Sequence, residues 1–235
     1  MKLVVTGALG HIGSRMIREL PLLFPGVEIV MIDNLTTQRY SSLFNLPTQG
    51  VYTFIEGDIL TLGLEPLFSD VDAVINLAAI TDATKSFENK EQVEHVNYTV
   101  SQRVAEACVT TGTKLFLISS TSVYGTQKEQ VDENCSLEEL NPQSPYAATK
   151  LKEEDLVKRK VSEEGLEAVI LRLGTIFGAS PGMRFHTAIN KFCWQASMKL
   201  PITVWSTAYD QKRPYLDLVD ASGAICHIIR NNLFD

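Results

Sequence analysis

Tyr146 and Lys150, a phenol and an ammonium four residues apart, form the pair in this sequence best suited to chemistry. On a helix that spacing is about one turn, so both side chains share a face. A phenol titrating near its ordinary value of about 10 is a poor base at neutral pH. A neighbouring ammonium stabilises the phenolate and brings that value down, which makes the tyrosine able to take a proton from a substrate hydroxyl. The same pair also occurs on ordinary surface helices, so the surroundings decide. Ser119-Ser120-Thr121-Ser122 closes an apolar run of strand length. Hydroxyls at such an exit either share a substrate proton or cap backbone groups, and different serines of the run can do each.

A second constellation opens the chain. Thr6-Gly7-Ala8-Leu9-Gly10-His11-Ile12-Gly13 lies between a strand pattern and a helix pattern. Gly7 permits a tight turn, Gly10 lets a pyrophosphate approach the backbone at the positive helix end, and Gly13 lets helix pack on strand. Twenty positions after Gly13, Asp33 ends the second apolar run. A carboxylate there accepts the ribose hydroxyls of an adenosine half and repels a 2′-phosphate, so NAD is expected over NADP, with Arg39 six residues on as the group that softens the preference. Strand, glycines, helix and acid together point to a dinucleotide site.

These residues need a scaffold with all strand ends on one edge, and the pattern supplies it. Apolar runs at Lys2–Thr6, Val27–Ile32, Tyr52–Glu56, Asp72–Leu77, Lys114–Ser119 and Glu167–Leu173 alternate with helical stretches. The helices are expected near His11–Leu20, Gln92–Val109 and Pro145–Ser162. Continuous Val/Ile/Leu runs separated by helices mean strands buried on both faces of a parallel sheet, hence a doubly wound, Rossmann-type α/β fold. Residues 1–173 make the dinucleotide-binding domain. Residues 174–235 read as a smaller, partial substrate-binding region, with a helix near Phe185–Lys199 and a last one from Ala221. The charged residues after Lys150 (Lys152, Glu153, Glu154, Asp155, Lys158, Arg159 and Lys160) read as the solvated face of the Tyr146 helix.

Composition narrows the function classes. The chain has 235 residues, 45% of them apolar, enough for a sizeable core. Its net charge of −7 is the wrong sign for coating phosphates, so no nucleic-acid partner is expected. No apolar run approaches the ~20 residues of a membrane helix, and no signal-peptide pattern precedes the first strand. Cys108, Cys135, Cys193 and Cys226 are scattered, which reads as free thiols in a reducing cytoplasm rather than a metal site. His95, His186 and His227 likewise lack ligand spacing, so no metal is expected. His11 and Ile12, inside the glycine turn, are expected to meet the cofactor phosphates through their backbone, with the His11 side chain in a structural or solvent role rather than a catalytic one.

Taken together these motifs resemble the extended short-chain dehydrogenase/reductase family, in its nucleotide-sugar epimerase and dehydratase branch. TGxxGxxG stands at Thr6 to Gly13, the family's DNL at Asp33-Asn34-Leu35, and its adenine-binding acid at Asp58, followed by Ile59. Asn76-Leu77-Ala78-Ala79 is similar to the family's HLAA, which lies along the cofactor, and Asn97 to a helix asparagine that supports the site. Ser119 to Gly125 fits SSxxVYG with Ser120 at the catalytic position, and Pro142 to Lys150 fits PxSPYxxSK with Thr149 for the second serine.

The resemblance implies that Tyr146, as phenolate, takes the proton of a sugar hydroxyl while hydride leaves for NAD. Lys150 holds the nicotinamide ribose and Ser120 polarises the substrate oxygen. The branch's 4,6-dehydratases carry an Asp-Glu pair just before VYG, where this chain has Thr121 and Ser122. An NAD-dependent nucleotide-sugar epimerase is therefore expected, acting through a transient keto-sugar. The alternatives are a dehydrogenase or reductase of a sugar or other secondary alcohol, and a non-catalytic dinucleotide-sensing protein. Lys85, Ser120, Thr175 and Arg213 are the expected substrate contacts. Thr175 departs from the family's asparagine, and the neighbours of Arg213 also deviate. Family members run about a third longer, so the substrate lobe is expected to be incomplete here. The resemblance also implies a homodimer built on the helices at 92–109 and 145–162.

Overall fold

The computed structural model describes residues 1–81, 89–125, 130–136, 140–204, 206, 209–210 and 212–234. Six parallel strands make the main sheet: β1 (Lys2–Thr6), β2 (Glu28–Asp33), β3 (Val51–Glu56), β4 (Ala73–Asn76), β5 (Lys114–Ser120) and β6 (Ala168–Leu173). Their spatial order is β3-β2-β1-β4-β5-β6, so the order reverses between β1 and β4. Helices α1 (His11–Leu23), a short α2 (Glu65–Phe68), α3 (Lys90–Thr111) and α4 (Pro145–Glu164) make the crossovers. This is the expected doubly wound sheet, and its reversal leaves a crevice at the carboxyl ends of β1 and β4 where such folds take ligands.

Pleating sorts the core into two layers. Val4, Val74, Leu115 and Leu117 face one side and pack with Phe68, Val100, Val104 and Val157 from α2, α3 and α4. Leu3, Val5, Ile29, Met31 and Phe116 face the other and pack with Met16, Ile17 and Leu20 of α1. Both faces are covered, which is why the strands read as continuous apolar runs.

Beyond β6 lie β7 (Thr175–Phe177), α5 (Ala188–Ser197), β8 (Tyr215–Asp217) and α6 (Leu218–Asn231), with β7 and β8 pairing in parallel as a two-stranded sheet. The last helix begins at Leu218 because Asp217 caps it, accepting a hydrogen bond from Val219 N at 2.7 Å. It packs on α1, and its Ile225 and Cys226 join the Leu3–Met16 layer. Among the described residues no helix is long and apolar enough to cross a membrane.

Candidate active site

The glycine turn joins β1 to α1 as the motif requires. Gly7 adopts a left-handed φ of +59°, and a Cβ there would lie 2.8 Å from the Leu77 carbonyl carbon. A Cβ on Gly13 would fall 2.4 Å from Gly7 O, so only glycine lets α1 start this close to the turn. Gly10 is the N-cap of α1, and no side chain caps that helix end. A Cβ on Gly10 would meet only Gly7 O at 3.2 Å and the Arg39 guanidinium at 3.9 Å. The positive end of a 13-residue helix is therefore left without a side-chain cap beside a glycine, an arrangement that fits a pyrophosphate.

Thr6 locks this turn to the strand across the crevice. Its buried hydroxyl donates to Asn76 Oδ1 at 2.7 Å and accepts from Leu77 N at 3.1 Å and Ala78 N at 3.2 Å. Leu77 and Ala78 are thus fixed beside the glycine turn, with Ala79 following. Asp33 closes β2 and accepts from Leu9 N at 3.0 Å and Leu35 N at 2.9 Å, so the acid is tied to the turn itself. Asn34 donates to Asp58 at 3.1 Å, which joins the two polar residues expected along the adenosine. The side chain of Ile59 is buried in the core. Burial pulls the Arg39 guanidinium below its ordinary value, and the Asp33 charge opposes that shift.

The His11 side chain points to the 178–182 loop. Its Nε2 pairs with the Gly178 carbonyl at 2.8 Å, its own carbonyl accepts from Ser180 Oγ at 2.9 Å, and Gly182 N donates to Ser14 Oγ at 3.0 Å. A loop over residues 178–182 is thereby strapped to the first turn of α1. Nothing in the sequence pattern signalled this contact.

At the other half of the crevice, Ser144 caps α4 by accepting from Ala147 N at 3.1 Å, with Pro145 in the first turn. This start sets the helix phase. Tyr146 is half-buried, and Lys150 is buried one turn on, its Nζ 5.8 Å from the centre of the Tyr146 ring. Lys150 donates to Glu153 Oε2 at 2.9 Å. Burial alone would depress the Lys150 ammonium, but Glu153, Tyr146 and Glu154 together hold it above the ordinary lysine value.

Ser119 and Ser120 have different partners. Ser119 is buried and donates to Glu154 Oε1 at 2.5 Å. Ser120 stands at the exit of β5, accepting from Ser122 N at 3.2 Å and lying 2.9 Å from Ser122 Oγ, with α4 packed alongside. Asn97, buried on α3, brackets Ile80: its Oδ1 accepts from Ile80 N at 2.7 Å and its Nδ2 donates to Ile80 O at 2.9 Å. It therefore positions the segment after β4. Thr175 pairs with Tyr215 across β7 and β8, which places it beside the strand that follows Arg213. Lys85 lies outside the described residues.

One expectation is corrected. Glu153 and Glu154 are not on a solvated face; they are 1% and 2% exposed. Glu154 is gripped by Arg172 of β6, whose Nη1 also donates to Tyr124 Oη at 3.0 Å. The signal was present in the spacing, because positions 146, 150, 153, 154 and 157 make one helical stripe. Charge had been read as exposure.

A doubly wound sheet with an uncapped glycine-lined helix end on one side of its switch point and a Tyr-Lys pair on the other defines a dinucleotide-dependent enzyme. The chain belongs to the NAD dependent epimerase/dehydratase family, which it matches over residues 3–233. It is 34% identical over 239 residues to the protein named uncharacterized UDP-glucose epimerase YtcB of Bacillus subtilis strain 168, covering 97% of this chain and 72% of that protein. It is 30% identical over 183 residues to a dTDP-glucose 4,6-dehydratase of Mycobacterium tuberculosis, covering 76% of this chain and 54% of the relative. In structure it resembles the UDP-glucuronic acid 4-epimerase of Bacillus cereus in complex with UDP-glucuronic acid and NAD. The TM-score is 0.85 at 30% identity, over 96% of this chain and 72% of that one.

Proposed function

We propose that this chain is an NAD-dependent epimerase of a nucleotide sugar, working through a transient keto-sugar. The observation that carries the reading is Tyr146 half-buried at the carboxyl edge of the sheet with the charged Lys150 one turn beneath it. Relatives named as a UDP-glucose epimerase and a UDP-glucuronic acid 4-epimerase support it. Bound at the α1 end, NAD would supply a reversible hydride acceptor. Tyr146 would take the proton of the sugar hydroxyl and give it back, while Ser120 would hold that oxygen in line. Lys150 would keep the phenolate stabilised through both transfers. Asp33 and Asn34 would face the adenosine ribose, and Asp58 the adenine.

The dehydratase branch fits less well. Between 119 and 125 there is no carboxylate to serve as the extra acid or base an elimination needs. Thr121 and Ser122 fill that turn, and their hydroxyls lie 3.4 Å from Leu173 O and 2.9 Å from Ser120 Oγ. Residues 174–217 would form the sugar-nucleotide side, with Thr175, Arg213 and Lys85 as the substrate contacts. Two chains would associate through α3 and α4 in the cytoplasm, a state that sedimentation measures directly.

The test is incubation with a panel of UDP- and dTDP-sugars followed by NMR. Inversion at one ring carbon with no net NADH is the expected result, and net NADH release would overturn it in favour of a dehydrogenase. Tyr146→Phe should lower turnover by about 10²–10⁴-fold with NAD affinity nearly kept. Unchanged turnover in that variant would remove the tyrosine from the mechanism.

A further inference from the structure

Lys150 and Glu153 are an ion pair that water scarcely touches. Their side chains are 5% and 1% exposed, and Nζ lies 2.9 Å from Oε2. Most i,i+3 pairs on helices are solvated and contribute little to stability. Burial changes the problem, because an ammonium removed from water gives up its proton unless a counter-charge is near. Glu153 Oε2 also accepts from Ser101 Oγ of α3 at 2.7 Å, and Ser101 is itself buried. Glu153 Oε1 is buried and receives no hydrogen bond from any described residue. Among the described residues the glutamate charge is therefore held by Lys150 and Ser101, and each of the two buried charges depends on the other.

The second carboxylate nearby cannot take over. Glu154 is saturated by Arg172 from β6, at 2.6 Å, and by Ser119 from β5. The groups acting on Lys150 are thus Glu153, Tyr146 and Glu154 from α4, with α3 contributing only the neutral Ser101. Of these, Glu153 alone is both anionic and uncommitted to another cation.

We propose that Glu153 is a positioning residue that fixes the Lys150 ammonium beneath Tyr146 in its charged form, with Ser101 as the clip that aims the carboxylate. The proposal rests on the reading of Tyr146 and Lys150 as the reactive pair. Its physical content is that charge, rather than shape, is what position 153 supplies. Glutamine has the same shape and would not serve. Aspartate has the charge with a shorter reach and would serve in part.

Lysine labelled with ¹⁵N at Nζ lets the proton on Lys150 be followed by NMR in the chain without any ligand, its resonance assigned by its loss in Lys150→Met. In the unsubstituted chain Lys150 should titrate above the surface lysines. In Glu153→Gln its titration should fall by about two pH units or more, toward the values known for buried lysines without a counter-charge. Glu153→Asp should lie between the two, and Ser101→Ala should leave Lys150 charged through pH 9. NAD titration of the same proteins should show affinity in Glu153→Gln dropping at least fivefold between pH 7 and pH 9, with a flat profile in the unsubstituted chain. A Lys150 titration unmoved in Glu153→Gln overturns the proposal. Should that variant not fold, an unmoved titration in Glu153→Asp overturns it equally. A chain that fails to bind NAD at any pH would sink the dinucleotide reading alone, because the ligand-free titration still decides the role of Glu153.

Discussion

Arg172 of β6 and Glu154 of α4 form a two-pronged buried ion pair, with the arginine Nη2 2.6 Å and its Nε 2.9 Å from separate carboxylate oxygens. The hydrogen bonds to Glu154 raise the arginine above its already high ordinary value, so the guanidinium keeps its charge. It ties the Tyr146 helix to the sheet, and through Tyr124 Oη and Ser119 Oγ it also ties down the turn that carries Ser120. Removing one partner of a buried pair strands the other charge. Arg172→Met should therefore destabilise the chain by about 3–5 kcal/mol in urea denaturation. A loss below about 1 kcal/mol would mean the pair is as weak as a surface one.

Two glycines separate folding from binding. Gly13→Ala places a methyl 2.4 Å from Gly7 O and 2.7 Å from Ala8 O, backbone atoms that cannot step aside, so it should lower the melting temperature and NAD affinity together. Gly10→Ala meets protein only at 3.2 Å, so the fold should hold while the new methyl occupies the space in front of α1. The expected result is a melting temperature within a few degrees of the original and NAD affinity down tenfold or more. Equal effects of both variants in thermal melts and NAD titrations would contradict this division.

The layered sheet was legible in the sequence because its strands alternate with helices and are apolar throughout, and β1 to β6 begin and end within a residue or two of expectation. The glycine turn, Asp33 and the Tyr-Lys pair were legible for a similar reason: each is a local spacing on one element. What stayed hidden depends on long-range contact. Ser101 reaches Glu153 across 52 residues, and the 178–182 loop reaches His11 across 167. Helical periodicity sets 150, 153, 154 and 157 on one stripe, but a charged residue is usually exposed, so the run after Lys150 reads as solvated.

Asp33 should govern the choice of dinucleotide. Its carboxylate closes β2 and accepts two backbone N–H groups, so Asp33→Ala removes both a charge and two acceptors. Overall affinity should fall, since donors in the turn lose their partners at about 1–3 kcal/mol each. The ratio of affinities isolates the charge. With Asp33 gone, Arg39 loses the anion that opposes its depression and is left facing the same corner. The NADP-to-NAD affinity ratio should rise at least tenfold, or about 1.4 kcal/mol, by calorimetric titration. A ratio that does not move would show that selectivity lies elsewhere.

His11 should make the glycine turn sensitive to acid. Burial lowers its value below 6.5; the Gly178 carbonyl pulls it back up, and the charges of Arg184, Arg39 and His186 push it further down. A folded value below the unfolded one means the unfolded chain binds the proton first as pH falls. The contribution to stability is thus complete above about 6.5 and is lost on acidification through that value toward the lower folded one. His11→Gln keeps a group able to bond the Gly178 carbonyl and cannot be protonated. Melting temperatures measured from pH 7.5 to pH 5 should fall less steeply in His11→Gln than in the unsubstituted chain, the difference opening below pH 6.5. Parallel curves would show that the ring gains its proton as readily in the folded protein as in the unfolded one, and that the strap over residues 178–182 does not report on pH.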